Sequence, residues 1–586
     1  MSSFAKGLLT GILLVFVFIS MIGFVAVLAS RGDPGIPPDT ALVVDLEGGV
    51  PEHIDTELPA FLAGRGGGAP ATLLGLTRAI RAAAEDPSVR ALVLRCDGSR
   101  AGWAKAQEIR WAIQAFKESG KPVWAFLELA GREDYYIASL ADRIVIQPLS
   151  FLELSGLRLE VMFFKGTMDK LGVSADLIRT GRYKTAGEPF SRAEMSPEWR
   201  EVLNEMLDEF YRQLLDGIAE GRGEDGDHWR AVLDEGPFDA ANAEQLGLVD
   251  AIADDDEFVD SLEEALEVEE LHRMSVAAYL ARSGSGRGRG ERIAVMHAVG
   301  TIMSGESQSD PFSGLQDVLG AQTFNSHLQD LAEDESVAGV ILRIDSPGGD
   351  AIASEQMLRA VRRLRAEKPV VISMSNLAAS GGYYIASVPD VPIVAYPGTY
   401  TGSIGVFTIH LNLRELYGKL GISKEILTRG RYAGLNSDYK ALSEDEREKV
   451  RAYVDLIYEE FLSRVSDGRG VGVDAVRDLA EGRVWIGTQA SENGLVDELG
   501  GYSRAIELVK EAVGIGEDAS VRIVTYPPRR SLLETLLSRG GRFALAKFFE
   551  PPPLGDARRA WAQATGWARR LRSGPMYMAP YTLSVE

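Results

Sequence analysis

Short apolar runs alternate with longer amphipathic stretches along most of the chain. Runs rich in Val, Ile and Leu predict strands, and apolar positions at a helical spacing predict helices. The predicted strands cover residues 41–46, 91–95, 122–128, 293–299 and 370–374, and the predicted helices cover 72–84, 103–118 and 353–366. Strands that alternate with helices are typical of βαβ units around a parallel sheet. The pattern therefore predicts an α/β fold.

The second part of the chain repeats short sequences of the first part at a nearly constant spacing. Four motifs share this spacing, with offsets of 248, 248, 249 and 247 residues: Y-Y-I-A-S at 135 and 383, L-R-x-D at 94 and 342, G-R-Y at 181 and 430, and G-L-V-D at 247 and 494. Four matches in the same order predict an internal duplication. We therefore expect two tandem copies of one α/β domain, joined at the Gly/Ser-rich segment 283–291.

The N-terminal segment 7–30 contains no charged residue between Lys6 and Arg31. About 20 such residues suffice to cross a bilayer, so the segment predicts a membrane anchor. A cleaved signal peptide is the alternative, although its apolar region is usually only about 7 to 15 residues long. Because positive charge is concentrated before the helix, the positive-inside rule predicts that the rest of the chain faces away from the cytoplasm.

These features divide the chain into four predicted parts. They are a membrane anchor at 1–30, an N-terminal domain at 31–282, a C-terminal domain at 283–525 and an extension at 526–586. Within the extension, residues 532–549 and 557–572 predict basic helices, which suit either packing against the protein or contact with anionic lipid.

Composition narrows the function further. The 586 residues carry a formal net charge of −23, which argues against a nucleic-acid partner because phosphate binding needs clustered Lys and Arg. A single cysteine, Cys96, excludes an intramolecular disulfide and a cysteine-based metal cluster. No cofactor or metal is predicted.

The strongest candidate for chemistry is Ser380, which follows the predicted strand at 370–374 and precedes Gly381 and Gly382. Glycines beside a serine allow another backbone to approach its oxygen, as a nucleophile in acyl transfer requires. The alternative is a tight turn in which Ser380 only caps a helix. In the first copy, R-E-D at 132–134 stands where the second copy has S-G-G at 380–382, so the first copy has no serine there.

A lysine shows the opposite distribution between the copies. Lys184 follows G-R-Y in the first copy, and Ala433 takes its place in the second. One composite site divided between two halves would leave such complementary losses. The six histidines form no recognisable triad motif, and Ser380 lies in no G-x-S-x-G sequence. A lysine can act as the base if burial lowers its pKa by roughly 3 units. Most lone lysines are solvated surface charges.

Two further motifs complete the candidate site. D-S-P-G-G at 345–349 follows a predicted strand, and its glycines are able to turn backbone N–H groups toward a substrate. Gly381 and Gly349 are the predicted oxyanion donors, with Gly348 as the next choice. In Y-T-G-S-I-G-V at 400–406, Ser403 is placed to orient a neutral lysine. Both motifs also occur as ordinary turns.

The motifs D-S-P-G-G-D, A-A-S-G-G-Y-Y, T-G-S-I-G-V and G-R-Y-K-T-A-G-E-P-F resemble the long, duplicated form of the signal peptide peptidase A family. The resemblance implies the fold shared by Clp protease and crotonase, with Ser380 as nucleophile, Lys184 as general base and Ser403 as lysine orienter. It implies Gly349 and Gly381 as oxyanion donors. Asp350 and Gly187 depart from the family pattern, which puts the subsite preference in doubt.

The resemblance also implies a biological setting. It implies a dome-shaped homotetramer that is anchored in the bacterial plasma membrane and faces the periplasm. It also implies that the substrates are remnant signal peptides, which the enzyme hydrolyses. Two alternatives remain open on sequence grounds. One is a crotonase-like acyl-CoA enzyme that uses the glycine donors without a serine nucleophile. The other is a catalytically silent scaffold that organises membrane proteases.

Overall fold

The computed structural model describes residues 35–54, 71–283, 290–308, 318–517, 519–528 and 576–578. We call residues 35–283 the first half and residues 290–528 the second half. The predicted anchor at 7–30 and the predicted helices at 532–549 and 557–572 lie outside the described residues. None of the helices in the described residues combines the length and the apolar composition that crossing a bilayer requires.

The first half contains nine strands and ten helices among its described residues. The strands are β1 Thr40–Asp45, β2 Val89–Cys96, β3 Val123–Leu127, β4 Arg143–Ile146, β5 Phe151–Leu152, β6 Ser174–Thr180, β7 Phe238–Asp239, β8 Ala251–Ile252 and β9 His272–Ser275. The helices are α1 Leu73–Glu85, α2 Trp103–Lys117, α3 Arg132–Ala138, α4 Lys165–Leu171, α5 Glu188–Ser191, α6 Pro197–Arg222, α7 Gly226–Asp234, α8 Ala240–Gln245, α9 Asp255–Leu266 and α10 Val276–Ser283.

The second half continues the same alternation. Its strands are β10 Arg292–Val299, β11 Thr301–Met303, β12 Val318–Gly320, β13 Val337–Ser346, β14 Gly348–Asp350, β15 Val370–Ala379, β16 Ile393–Ala395, β17 Tyr400–Gly402, β18 Val406–Asn412, β19 Val484–Ile486, β20 Glu498–Leu499 and β21 Arg522–Tyr526. Its helices are α11 Ala321–Glu333, α12 Ala351–Glu367, α13 Gly381–Ala386, α14 Arg414–Lys419, α15 Glu444–Arg469, α16 Val473–Leu479, α17 Gly487–Glu492 and α18 Tyr502–Val513. A last strand, β22 Met576–Met578, follows near the end of the chain.

Each half is built on a sheet whose central strands are parallel. In the first half the strand order is β8-β4-β3-β2-β1-β9, and all of these pairs are parallel. In the second half the order is β19-β17-β15-β13-β10-β21. The central strands are mostly buried on both faces, as Val- and Ile-rich parallel strands between helices should be, whereas the edge strands β8, β9 and β21 are more exposed. The predicted α/β class is confirmed.

The two halves make the same contacts at corresponding positions. Tyr135 Oη donates to the carbonyl of Leu248 at 2.7 Å, and Tyr383 Oη donates to the carbonyl of Leu495 at 2.8 Å. These tyrosines belong to the repeated Y-Y-I-A-S motif and these leucines to the repeated G-L-V-D motif. In each half the Y-Y-I-A-S motif therefore contacts the G-L-V-D motif, which explains why both motifs recur together.

A third sheet crosses the boundary between the halves. Its strand order is β12-β11-β14-β22-β18-β6, so that β6 of the first half joins strands of the second. Strand β6 pairs antiparallel with β18 over seven residues, from Val406 opposite Thr180 to Asn412 opposite Ser174. This pairing places the loop that follows β6 beside the loop that precedes β18.

Candidate active site

Ser380 lies at the junction of β15 and α13 in a strained backbone conformation. Its φ and ψ are 56° and −114°, a region that residues with a side chain rarely adopt and that is concentrated at functional sites. Its N–H donates to the carbonyl of Gly402 at 2.7 Å, which holds the residue against β17. The Ser380 side chain makes no capping hydrogen bond to α13. The alternative role of a simple helix cap therefore does not fit the structure.

Lys184 reaches the same point from the first half. It lies four residues beyond the end of β6, and Ser403 lies three residues before the start of β18. Because β6 and β18 pair along their full length, the two loops face each other at one end of that pair. The fold thus brings the lysine of one half to the serine of the other within a single chain.

The three polar side chains meet at hydrogen-bonding distance. Lys184 Nζ is 2.7 Å from Ser380 Oγ, 3.0 Å from Ser403 Oγ and 2.8 Å from the Ser403 carbonyl oxygen. The relative exposure of all three residues is 0%. The cluster is therefore shielded from water, and each contact acts in a medium of low dielectric constant.

Burial lowers the pKa of the Lys184 amine well below its ordinary value. Among the described residues no carboxylate lies within ion-pair distance of Nζ, so nothing in that part of the chain offsets the cost of desolvating the charge. A neutral amine has two N–H donors and one lone pair. The Ser403 carbonyl must accept one N–H, and Ser403 Oγ accepts the other. The lone pair is then left for the Ser380 hydroxyl proton.

The glycines around Ser380 are packed so closely against neighbouring atoms that they leave no room for a side chain. A Cβ on Gly381 would lie 2.7 Å from Ser354 Oγ and 3.1 Å from the backbone nitrogen of Gly349. A Cβ on Gly349 would lie 2.0 Å from the carbonyl oxygen of Ile302. Gly381 and Gly349 are therefore neighbours beside the serine. The N–H of Gly348, the next choice from sequence, donates instead to Ser346 Oγ at 3.1 Å.

The corresponding place in the first half is filled by acidic side chains. Asp134 accepts hydrogen bonds from the N–H groups of Ser99 and Gly131 at 3.0 and 2.9 Å, and Glu133 accepts one from Gly102 N–H at 3.1 Å. Burial raises the pKa of Glu133 to about 7. In the first half, D-G-S-R-A at 97–101 matches D-S-P-G-G, and backbone N–H groups of this region bind carboxylates of α3. These N–H groups are therefore occupied in the half that lacks the serine.

Sequence reasoning missed two charged residues that hold the lysine loop. Arg179 donates to the carbonyl of Lys184 at 3.1 Å and to Glu188 Oε1 at 2.7 Å. Glu188 is fully buried and also accepts the N–H of Ser196 at 3.1 Å. Glu188 belongs to the G-R-Y-K-T-A-G-E-P-F motif, so the sequence offered a reason to examine it. No sequence motif indicates Arg179, because its contacts depend on where β6 lies.

The two departures from the family pattern have structural explanations. Asp350 caps α12, accepting the N–H of Ala353 at 2.7 Å, so it serves the helix that follows the glycine loop. The space beside Gly187 is filled by Leu177, whose Cδ1 would lie 2.4 Å from a Cβ on the glycine. Neither residue alters the Lys184–Ser380 contact. Among the described residues no group of three or more His, Cys, Asp or Glu side chains is arranged to hold a metal ion.

A buried serine hydroxyl against a lysine amine, beside glycines that leave room for a substrate backbone, is the arrangement of a serine hydrolase. Comparison with known proteins makes the class specific. Residues 115–269 and 362–516 each match peptidase family S49, at an offset that agrees with the internal repeat. The chain therefore belongs to peptidase family S49 and is a serine peptidase, and the predicted duplication is confirmed.

Similar proteins extend over most of the chain. The chloroplastic serine protease SPPA of Arabidopsis thaliana is 34% identical over 463 residues, which cover 78% of this chain and 68% of that protein. Protease 4 of Haemophilus influenzae is 31% identical, over 81% of this chain and 79% of that protein. Protease 4 of Salmonella typhi is 31% identical, over 75% and 72%. Among solved structures, ClpP1 from Listeria monocytogenes is similar over 36% of this chain and 91% of its own, with 12% identity and a TM-score of 0.21.

Proposed function

We propose that this peptidase cleaves peptide bonds with Ser380 as nucleophile, Lys184 as general base, Ser403 as the residue that orients the lysine, and the N–H groups of Gly349 and Gly381 as oxyanion donors. The observation that carries the proposal is the 2.7 Å contact between Lys184 Nζ and Ser380 Oγ in a fully buried setting. Membership of family S49 favours this reading over an acyl-CoA enzyme or a silent scaffold.

The chemistry follows from the proton positions. The Ser380 hydroxyl gives its proton to the Lys184 lone pair as Oγ attacks the substrate carbonyl carbon. The resulting oxyanion is stabilised by hydrogen bonds from Gly349 and Gly381. Lys184 then passes the proton to the departing amine, and the acyl group stays on Ser380. Water, deprotonated by the same lysine, releases the acyl group and restores the serine.

We propose short or unfolded peptides, including remnant signal peptides, as the substrates. A relative from Enterococcus faecium, 34% identical over 36% of this chain, is named a putative signal peptide peptidase SppA.

The setting is part of the same proposal. We place the catalytic part outside the cytoplasm of a bacterium, anchored in the plasma membrane by residues 7–30, because that uncharged stretch is long enough to span a bilayer. Each half is proposed to have the Clp/crotonase-like fold, in keeping with its parallel sheet between helices.

A homotetramer is also proposed. Leu420, Ile422, Ile426 and Leu427 are 64%, 46%, 44% and 86% exposed, a concentration of apolar surface that suits contact with other subunits. Mass determination by light scattering on the full-length protein in detergent tests this proposal, with a monomer as the contrary result.

The roles of the serine and the lysine are tested together by mutation. Ser380→Ala and Lys184→Ala should both abolish hydrolysis of a fluorogenic peptide, since the two groups act as a unit. Lys170→Ala, at an exposed lysine, is the matched control and should keep full activity. A fluorophosphonate probe should label wild type but not Ser380→Ala. Lys184→Ala with most of its turnover intact would show that another base is at work.

A further inference from the structure

A segment from near the C-terminus lies between the two strands that flank the proposed site. Strand β22 pairs antiparallel with β14, so that Met578 is opposite Gly348, Tyr577 is opposite Gly349 and Met576 is opposite Asp350. On its other side β22 pairs antiparallel with β18, where Met576 is opposite Phe407. Strand β14 carries the proposed oxyanion donor Gly349, and β18 begins just after Ser403.

A peptide substrate has to pair with the same strand, β14. For its carbonyl oxygen to reach the N–H groups of Gly349 and Gly381, an extended substrate must run along β14. Adding a strand to exposed strand edges is a common way to bind an extended peptide, because main-chain hydrogen bonds supply affinity for many sequences. The slot between β14 and β18 offers such an edge on both sides. One extended segment fills it, so β22 and a substrate cannot pair with β14 at the same time.

The sequence limits how firmly β22 can hold. Pro575 and Pro580 flank the paired residues, and proline has no N–H to donate to a strand. Pairing by β22 is therefore confined to the short stretch between them. A strand of three residues gains few hydrogen bonds and has to order its own backbone. Its advantage over a free peptide is its covalent tether, which gives it a high effective concentration at the slot.

We propose that residues 576–578 act as an internal competitor, a piece of this chain that occupies the peptide-binding slot and leaves it when substrate binds. This inference rests on the proposed roles of Ser380 and Gly349. The apparent Kd for substrate equals the intrinsic Kd divided by the fraction of molecules in which the slot is open. With an open state of about one-tenth, substrate binds roughly tenfold more weakly than it would to a vacant slot.

Two variants remove the competitor, and a third variant controls for the introduction of a proline into the same tail. Tyr577→Pro deletes the N–H of the residue opposite Gly349, and deletion of residues 576–586 removes the whole segment. Thr582→Pro places a proline in the same tail outside the paired strand. We expect Tyr577→Pro and the deletion to lower KM for a fluorogenic peptide about tenfold with kcat unchanged. Thr582→Pro should match wild type.

A synthetic peptide of residues 574–579 supplies a test in trans. Added to the deletion variant, it should inhibit hydrolysis competitively. The proposal is overturned if Tyr577→Pro and the deletion keep the wild-type KM, or if they lose activity because β22 is a permanent part of the site. It is also overturned if Thr582→Pro lowers KM as much as Tyr577→Pro.

Labelling by the fluorophosphonate probe separates this inference from the proposed function. The probe is small and needs the Ser380 hydroxyl but no pairing with β14. Absence of Ser380-dependent labelling would contradict the proposed function itself. Normal labelling together with an unchanged KM in the tail variants would overturn only the internal competitor.

Discussion

Gly482 lies so close to Lys184 that a Cβ on the glycine would stand 2.5 Å from the lysine backbone nitrogen. The same glycine has a φ of +80° and donates its N–H to the carbonyl of Ile404 at 2.8 Å. The backbone of Gly482 therefore lies between the loop of Lys184 and the loop of Ser403. The distance between these loops decides whether Nζ reaches Ser380.

Gly482→Ala should lower kcat about a hundredfold, because the added methyl group must push the lysine loop away, and a displacement of about 1 Å can cost that much. Steady-state kinetics on a fluorogenic peptide measures the effect. Gly418→Ala is the control, since a Cβ there meets nothing within 4 Å. Equal activity of the two variants would show that the loop adapts without cost to the site.

Ser403→Ala should lower kcat about tenfold and leave KM unchanged, since the loss of one hydrogen bond to the amine is worth about 1–1.5 kcal/mol. Ser403 Oγ accepts one of the two N–H bonds that fix the direction of the Lys184 lone pair, while the Ser403 carbonyl keeps the other. Ser403→Thr retains the hydroxyl and should recover most of the rate. Loss of rate in the Thr variant as large as in the Ala variant would point to packing instead of orientation.

The buried lysine should also appear in the pH dependence of stability. Burial lowers the pKa of Lys184 well below its ordinary value of about 10.4. Between the lowered and the ordinary value the unfolded chain binds one proton more than the folded protein, so the free energy of unfolding rises with pH. Below the lowered value both states are protonated, and the cost of burying the charge is complete.

Lys184→Met lacks this titration. The free energy of unfolding of wild type relative to Lys184→Met should therefore increase with pH from the lowered pKa up to about pH 10, by up to about 1.4 kcal/mol per pH unit. Denaturant titrations at a series of pH values measure it. Ser380→Ala keeps the lysine and should follow the wild-type slope. A difference between wild type and Lys184→Met that stays constant with pH would mean that the lysine is charged in the folded protein.

The sequence singles out Ser380 and Lys184 because each stands where the other copy has lost it. The structure brings both predicted residues together with Ser403, Gly349 and Gly381. Arg179 and Gly482 escaped prediction because their contacts with Lys184 depend on the pairing of β6 with β18 and on a distant loop. No local pattern marks either one.

The same distinction applies to the strands. β15 runs to Ala379, beyond the predicted end at residue 374, although N-L-A-A at 376–379 has no β-branched residue. Pairing of residues 377–379 with β17 supplies the hydrogen bonds that local propensity does not. β22 was not predicted either, because its three residues acquire their conformation only from the two strands beside them.

The last prediction concerns how the two halves are held together. Arg343 of β13 and Glu52 of the first half are both buried, with Arg343 Nη2 at 2.9 Å from Glu52 Oε1. Glu52 also accepts the Tyr502 hydroxyl at 2.9 Å. Burial alone would raise the pKa of Glu52, but the charges of Arg343 and Lys105, together with the hydrogen bond from Arg343, outweigh it and hold the pKa well below its usual range. The carboxylate is therefore ionised in the folded protein.

Glu52→Gln leaves the Arg343 charge buried without its counterion and should lower the free energy of unfolding by about 3–5 kcal/mol. Adding Arg343→Met removes the isolated charge and should restore part of the loss. Asp39→Asn breaks the exposed pair with Arg90 and should change stability by less than about 1 kcal/mol. Because Ser380 and Lys184 come from different halves, Glu52→Gln should also lose peptidase activity at a denaturant concentration below that at which its helix content falls. Coincident loss of activity and helix would show that the halves unfold as one unit.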